Sequence, residues 1–125
     1  MATVTAGSDN FQQLVLENDI VLVDFWAAWC GPCRAFAPVF EKSAEKHEDI
    51  VHAKVDTEAE QQLAAAAGIT SIPTLMAFRE GILVFAQPGA LPGPALEQVV
   101  QAVKGLDMIE VRAEIAKQEG ARTGA

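Results

Sequence analysis

Two neighbouring segments decide the fold of this 125-residue chain: IVLVDFW at residues 20–26 and WCGPC at residues 29–33. The first is an apolar, β-branched run, which is typical of a buried strand. The Gly-Pro pair in the second indicates a turn, and apolar residues recur at helical spacing from Phe36 onward. We therefore expect a strand, a turn and a helix, with Cys30 just outside the helix N-terminus and Cys33 in its first turn.

This placement favours a reactive thiolate. Unpaired N–H groups and the positive end of the helix dipole stabilise an anion at Cys30, and the thiolate is the form of cysteine that attacks disulfides. A fall in its pKa from about 8.5 to about 7 would raise the thiolate fraction at neutral pH from roughly 3% to roughly half. Nucleophilicity falls at the same time, which cancels a factor of about five. Most of the rate must therefore come from positioning the two sulfurs and the target disulfide.

Two other roles for the cysteine pair are weaker. A structural disulfide closing so small a loop would stabilise the fold by only roughly 2 kcal/mol. A zinc site needs four ligands, and His47 and His52 do not stand at zinc-site spacing from Cys30 and Cys33. We read both histidines as surface residues, and expect redox chemistry and no metal.

WCGPC after VDFW resembles the active site of the thioredoxin family. The remaining pattern is consistent with it: an α/β thioredoxin fold, in which a central mixed sheet has helices on both faces. We expect strands and helices in this order: strand 3–5, a helix capped by Ser8 or Asp9, strand 20–26, the helix after Cys30 with an internal Pro38, strand 51–56, a helix capped by Thr57 and ending at Gly68, strand 74–78, strand 82–86 and a helix from Pro92 or Pro94 to Gly105.

The resemblance divides the chain into a thioredoxin domain at residues 1–105 and a C-terminal extension at residues 106–125. In the extension, Asp107 and Glu110 indicate a helix cap. We expect a short amphipathic helix there and a disordered tail from Gly120.

The resemblance also implies roles for individual residues. Asp24, an acid inside an apolar strand, matches the family's proton acceptor for the second cysteine; otherwise it is a buried acid satisfied by a neighbour. Lys54 matches the lysine that pairs with this acid, or is a strand lysine that reaches solvent. Gly31 and Pro32 tune the stability of the dithiol. Pro73 matches the family's cis-proline, although most X–Pro bonds are trans.

Four residues match an apolar docking surface for disulfide-containing clients: Trp29, Ile72, Gly89 and Ala90. Pro73 contributes to the same surface by letting the Ile72 backbone pair with an extended substrate. Gly89 is also readable as a turn glycine.

Two positions depart from the family pattern. Arg34 stands where lysine is common, and it keeps a positive charge beside Cys30. Pro88 replaces a small β-branched residue and is expected to reshape the docking rim.

By resemblance the protein is a thioredoxin-type oxidoreductase, a protein-disulfide reductase in electron transport and cell redox homeostasis. It is expected to bind no cofactor and to take its electrons from NADPH through thioredoxin reductase, with disulfide-containing proteins as clients. A disulfide oxidase or isomerase is an alternative, although those relatives usually carry a histidine between the cysteines. A non-enzymatic binding subunit on the same scaffold is another.

Bulk properties bear on location and partners. The net charge of −8 argues against nucleic acid and anionic membranes as partners. No apolar run approaches the ~20 residues that span a bilayer, and residues 1–10 carry no signal-peptide pattern. We expect a cytoplasmic monomer.

Overall fold

A computed structural model describes residues 2–124, with side chains as far as Ala121. Within these residues the chain forms five strands and five helices. The strands are β1 (Thr3–Thr5), β2 (Ile20–Trp26), β3 (Val51–Asp56), β4 (Thr74–Arg79) and β5 (Ile82–Pro88), and the helices are α1 (Phe11–Glu17), α2 (Gly31–Lys46), α3 (Gln61–Ala66), α4 (Gly93–Lys104) and α5 (Met108–Gly124).

The strands form one mixed sheet in the order β1-β3-β2-β4-β5. β3 pairs in parallel with β1 and β2, whereas β4 runs antiparallel to both β2 and β5. β2 is therefore the central strand, and its residues 20–25 are all buried. A strand covered on both faces needs apolar side chains at every position, which explains the continuous run in the sequence. The predicted fold class is confirmed.

Alternate residues of β2 point to two separate cores, because successive strand side chains face opposite ways. One core lies against α2 and α4, and the other lies against α1 and α3. The first includes Leu22, Phe36, Phe40, Leu75 and Leu96, and the second includes Val21, Val23, Phe25, Val55 and Met76. Together they fix the end of β2, where the two cysteines follow.

The caps predicted for α1 and α3 were wrong. α1 begins after Asn10, and Ser8 instead donates to the Glu60 carboxylate through its backbone N–H and its hydroxyl, each at 3.0 Å. α3 begins after Glu60, and the Thr57 hydroxyl donates to the carbonyl oxygen of Trp26 at 3.0 Å. In each case a long-range partner takes the side chain that a local motif would have used.

The placement of His47 and His52 on the surface was also wrong. His52 is completely buried, and its ring nitrogens contact the Ser43 hydroxyl (2.9 Å) and the Ile50 carbonyl oxygen (3.1 Å). His47 is 6% exposed and its Nε2 lies 2.8 Å from the Glu97 carboxylate. Both ring nitrogens of His52 have polar partners, and the ring of His47 has a carboxylate partner. Each histidine therefore tolerates burial.

The C-terminal helix is longer than expected. Asp107 caps it, as predicted, by accepting from the N–H groups of Ile109 and Glu110 at 3.0 and 3.3 Å. The sequence predicted disorder from Gly120, whereas the helix continues to Gly124. Ala125 lies outside the described residues. Strong helix formers on both sides outweigh the cost of one internal glycine, which is about 1 kcal/mol.

Candidate active site

The two cysteines begin α2 and form a disulfide, with their Cα atoms 5.2 Å apart. Cys30 is the N-cap residue, in an extended conformation, and Cys33 lies in the first turn, as the sequence predicts. Pro32 lies in that same first turn, where its missing N–H would have no helical partner. The helix continues through Pro38 to Lys46.

Backbone groups surround the Cys30 sulfur. The N–H of Cys33 points at Cys30 Sγ, with a nitrogen–sulfur distance of 3.2 Å, and the carbonyl oxygen of Ile72 lies 3.7 Å from the same sulfur. In the reduced protein, this N–H and the helix dipole would stabilise a Cys30 thiolate. The site therefore has the electrostatic arrangement expected of an attacking cysteine.

The loop opposite the cysteines carries the proline singled out in the sequence. The Ile72–Pro73 peptide bond is cis, as predicted. The Pro73 carbonyl oxygen accepts from the N–H of Gly89 at 2.8 Å, and Gly89 has a φ of +102°, which favours glycine. The hydrogen bond places Gly89 beside the cis-proline loop, so its turn conformation and its place near the site are compatible.

Asp24 lies in the middle of β2 and is completely buried. Neither of its carboxylate oxygens has a hydrogen-bond partner among the described residues. Burial raises the pKa of Asp24 to about 6, and the positive charge of Lys54 opposes that rise. Asp24 is thus held as a weak acid that exchanges its proton near neutral pH.

Lys54 stands directly opposite Asp24 in the parallel β2–β3 register. Its ammonium lies over the indole ring of Trp26, 5.0 Å from the ring centroid, as a cation–π contact. Within residues 2–121 no ion pair joins Lys54 to Asp24. The charge of Lys54 therefore acts on Asp24 through space. The role of Lys54 as the pairing partner of Asp24 stays a prediction.

A groove of about 570 Å³ opens beside Cys30. Of the residues expected at the site, it is lined by Trp29, Cys30, Gly31, Pro32 and Ile72. Ala90 is exposed and is not among the residues that line it. Cys33 is absent from its lining, and both cysteines are nearly fully buried, with 4% of Cys30 and 3% of Cys33 exposed.

The opposite wall of the groove was missed by sequence reasoning. It is formed by residues of α3 and its flanking loops: Thr57, Glu58, Gln61, Ala64, Ala65, Ile69, Thr70 and Ser71. One signal could have found it: α3 follows the C-terminal end of β3, which is parallel to β2, so both strand ends open at the same edge of the sheet.

Comparisons with known proteins agree with this geometry. The Thioredoxin family model matches residues 2–102. A putative thioredoxin 2 from Streptomyces coelicolor is 56% identical over 94% of this chain and 88% of its own, and thioredoxin 1 from Nostoc is 44% identical over 80% of this chain and 95% of its own. The structure of a mutant thioredoxin from Halobacterium salinarum superposes with a TM-score of 0.78 at 35% identity, covering 84% of this chain and 93% of that one.

Proposed function

Because the chain belongs to the thioredoxin family and is a thiol–disulfide oxidoreductase, we propose that it reduces protein disulfides with Cys30 as the attacking residue and Cys33 as the resolving residue. The observation that carries this assignment is the asymmetry of the pair. Cys30 lines the groove and has the Cys33 N–H directed at its sulfur, whereas Cys33 does not line the groove.

The proposed reaction has two exchange steps. The Cys30 thiolate attacks one sulfur of the client disulfide, the client S–S bond breaks, and the client's other sulfur leaves as a thiolate. Cys33, once deprotonated, attacks Cys30 Sγ in the resulting mixed disulfide. The second client sulfur leaves, and the Cys30–Cys33 disulfide forms. The client gains two electrons, and the cysteine pair loses two.

Asp24 is the proposed proton acceptor for Cys33. Its pKa of about 6 keeps it largely ionised at pH 7, and both of its oxygens lack partners among the described residues. A buried carboxylate without hydrogen bonds is poorly stabilised, so taking up a proton relieves its desolvation. Lys54, Gly31, Pro32 and Pro73 are proposed to support the site.

Clients are proposed to dock on Trp29, Ile72, Pro73, Gly89 and Ala90. Trp29 is 67% exposed and lines the groove beside Cys30, so its apolar surface is available to a client. The backbone of the half-buried Ile72, next to the buried Pro73, would pair with an extended client segment.

The wider setting is also part of the proposal. Electrons come from NADPH through thioredoxin reductase, with no cofactor held by this chain, and the protein acts in electron transport and redox homeostasis as a cytoplasmic monomer. Among residues 2–124, no helix has the length and apolar character needed to cross a membrane. The acidic surface, with a net charge of −8, is unsuited to nucleic acid or anionic lipid.

The assignment is tested with Cys30→Ser and Cys33→Ser, assayed by reduction of insulin with dithiothreitol as electron donor. Cys30→Ser should lose all activity above background, because no attacking thiolate remains. Cys33→Ser, reduced beforehand and then freed of dithiothreitol, should accumulate mixed disulfides with the client, visible as client adducts on non-reducing gels. A Cys30→Ser protein that still turns over would refute the assignment.

A redox titration of the wild-type pair in glutathione buffers separates the reductase from an oxidase. A midpoint well below that of the glutathione couple supports a reductase, whereas one near or above it indicates an oxidase or isomerase. The double variant Cys30→Ser/Cys33→Ser serves as the baseline.

A further inference from the structure

Arg34 connects the loop that carries Trp29 to the first turn of α2. Its Nη1 donates a hydrogen bond to the carbonyl oxygen of Ala28 at 2.9 Å. Its Nη2 lies 3.9 Å from the position that a Cβ atom of Gly31 would occupy. The side chain therefore folds back across the reactive turn, although an exposed arginine at this position could equally extend into solvent.

The Trp29 side chain is held in place through the backbone of its loop and not, among the described residues, through hydrogen bonds or ring contacts of its own. The side chain is two-thirds exposed, and within residues 2–121 it makes no hydrogen bond and no aromatic ring contact. The N–H of Cys30 bonds to the Ala27 carbonyl oxygen at 3.2 Å, which holds the cysteine end of the loop. Among the described contacts, the Ala28 carbonyl is held by Arg34.

We propose that Arg34 is a positioning residue for client docking, which fixes the Ala28–Trp29 peptide so that Trp29 forms a stable wall of the groove beside Cys30. This inference rests on the proposed function, since it assigns a specificity role at the same site. Charge strengthens the Arg34 bond, because a guanidinium donor binds a carbonyl oxygen more tightly than a neutral donor does. The residue acts through Trp29 and takes no part in the exchange of sulfurs.

The proposal separates large clients from small ones. A protein disulfide must rest on Trp29 to reach Cys30, whereas a small disulfide reaches the sulfur without it. Arg34→Met removes the donor and keeps most of the side-chain length. We expect kcat/KM for insulin to fall about three- to tenfold, mainly through KM, as for the loss of one docking contact. Reduction of uncharged 2-hydroxyethyl disulfide should change less than about twofold, and the redox midpoint should stay at the wild-type value.

Lys42→Met is the matched control, because it removes one positive charge from an exposed position on the same helix and leaves the loop untouched. It should leave both rates at wild-type values. Mobility of Trp29 is measured by acrylamide quenching of its fluorescence in a Trp26→Phe background, with and without Arg34→Met. Quenching should increase when the donor is removed.

Each remaining outcome contradicts the proposal. An equal loss with insulin and with 2-hydroxyethyl disulfide would mean that Arg34 acts on the Cys30 thiolate. An unchanged insulin rate, or a matching loss in Lys42→Met, would mean that the hydrogen bond has no docking role. Failure of the proposed function itself gives a different pattern, because the wild-type protein would then reduce neither disulfide.

Discussion

At the scale of single residues, Asp24 is the position where stability and chemistry conflict. The carboxyl group lies in the central strand, completely buried and without a hydrogen-bond partner among the described residues. Folding raises its pKa from 3.8 to about 6, so the folded state holds the proton more tightly than the unfolded chain does. Stability from this group is fully present below pH 3.8 and is lost as the pH rises to about 6. Above about pH 6 the buried, ionised carboxylate lowers the free energy of unfolding by about 3 kcal/mol, at 1.36 kcal/mol per pKa unit.

Asp24→Asn should therefore stabilise the protein at high pH and slow its turnover. The free energy of unfolding in urea should exceed that of the wild type by up to about 3 kcal/mol at pH 8, and the gain should shrink toward pH 4. Insulin reduction should slow because Cys33 loses its proton acceptor. Lower stability together with normal turnover would make Asp24 a structural residue.

At the scale of secondary structure elements, His52 joins β3 to α2. The carbonyl oxygen of Ile50 can only accept, so Nδ1 carries the proton and Nε2 accepts from the Ser43 hydroxyl. The ring also packs edge-on against Phe40, with centroids 5.1 Å apart. This junction uses the neutral imidazole, and burial lowers the pKa of His52.

The junction should weaken in mild acid. The pKa of His52 in the folded state lies below its ordinary value of 6.5, so the unfolded chain takes up a proton that the folded state resists. Stability from His52 is therefore present above pH 6.5 and declines as the pH falls below it. Asp24 titrates in the opposite sense over part of this range, so Asp24→Asn is the background in which the decline should be visible.

We expect Asp24→Asn to lose unfolding free energy between about pH 7.5 and about pH 5.5, and Asp24→Asn/His52→Gln to lose less over the same interval. Both are measured by urea denaturation followed by circular dichroism. Because the comparison is a difference between two pH values, a general destabilisation by His52→Gln does not affect it. Equal losses in the two proteins would show that His52 is not responsible.

At the scale of the whole molecule, α5 is attached to the domain by its first turn. Met108 is buried, and Arg112 forms an ion pair with Glu80 in the β4–β5 turn. Arg79 reinforces the approach to the helix by donating to the carbonyl oxygens of Val103, Lys104 and Leu106 at 2.7, 3.2 and 3.3 Å. Beyond Arg112 the described side chains are all exposed, so most of the helix lies outside the core.

Two truncations test the proposed division between residues 1–105 and 106–125. A chain ending at Val111 loses the exposed Arg112–Glu80 ion pair and should lose at most about 1 kcal/mol of unfolding free energy. A chain ending at Leu106 also loses the burial of Met108 and should lose about 1.5–3 kcal/mol more. Both should reduce insulin at the wild-type rate, because the groove lies at the other end of β2. Lower activity in the Val111 truncation would place α5 in the functional unit.

The sequence by itself determined the fold class, the five strands and the position of the cysteine pair at the start of α2. These features depend on local signals: hydrophobic periodicity, Gly and Pro punctuation, and the spacing of the two cysteines. The cis bond before Pro73 and the burial of the central strand were also predictable, the first from the resemblance and the second from its continuous apolar run.

Tertiary structure alone decided which polar side chains found distant partners. Ser8, Thr57 and His47 bind groups that are distant in the sequence, and His52 binds Ser43 on a neighbouring helix. A local reading therefore placed these four residues at caps or on the surface. The α3 wall of the groove arose in the same way, because α3 and the cysteine turn are distant in the sequence. A polar group is stabilised by whichever partner the packed chain brings within about 3 Å, and that partner is fixed only when the sheet and helices have assembled.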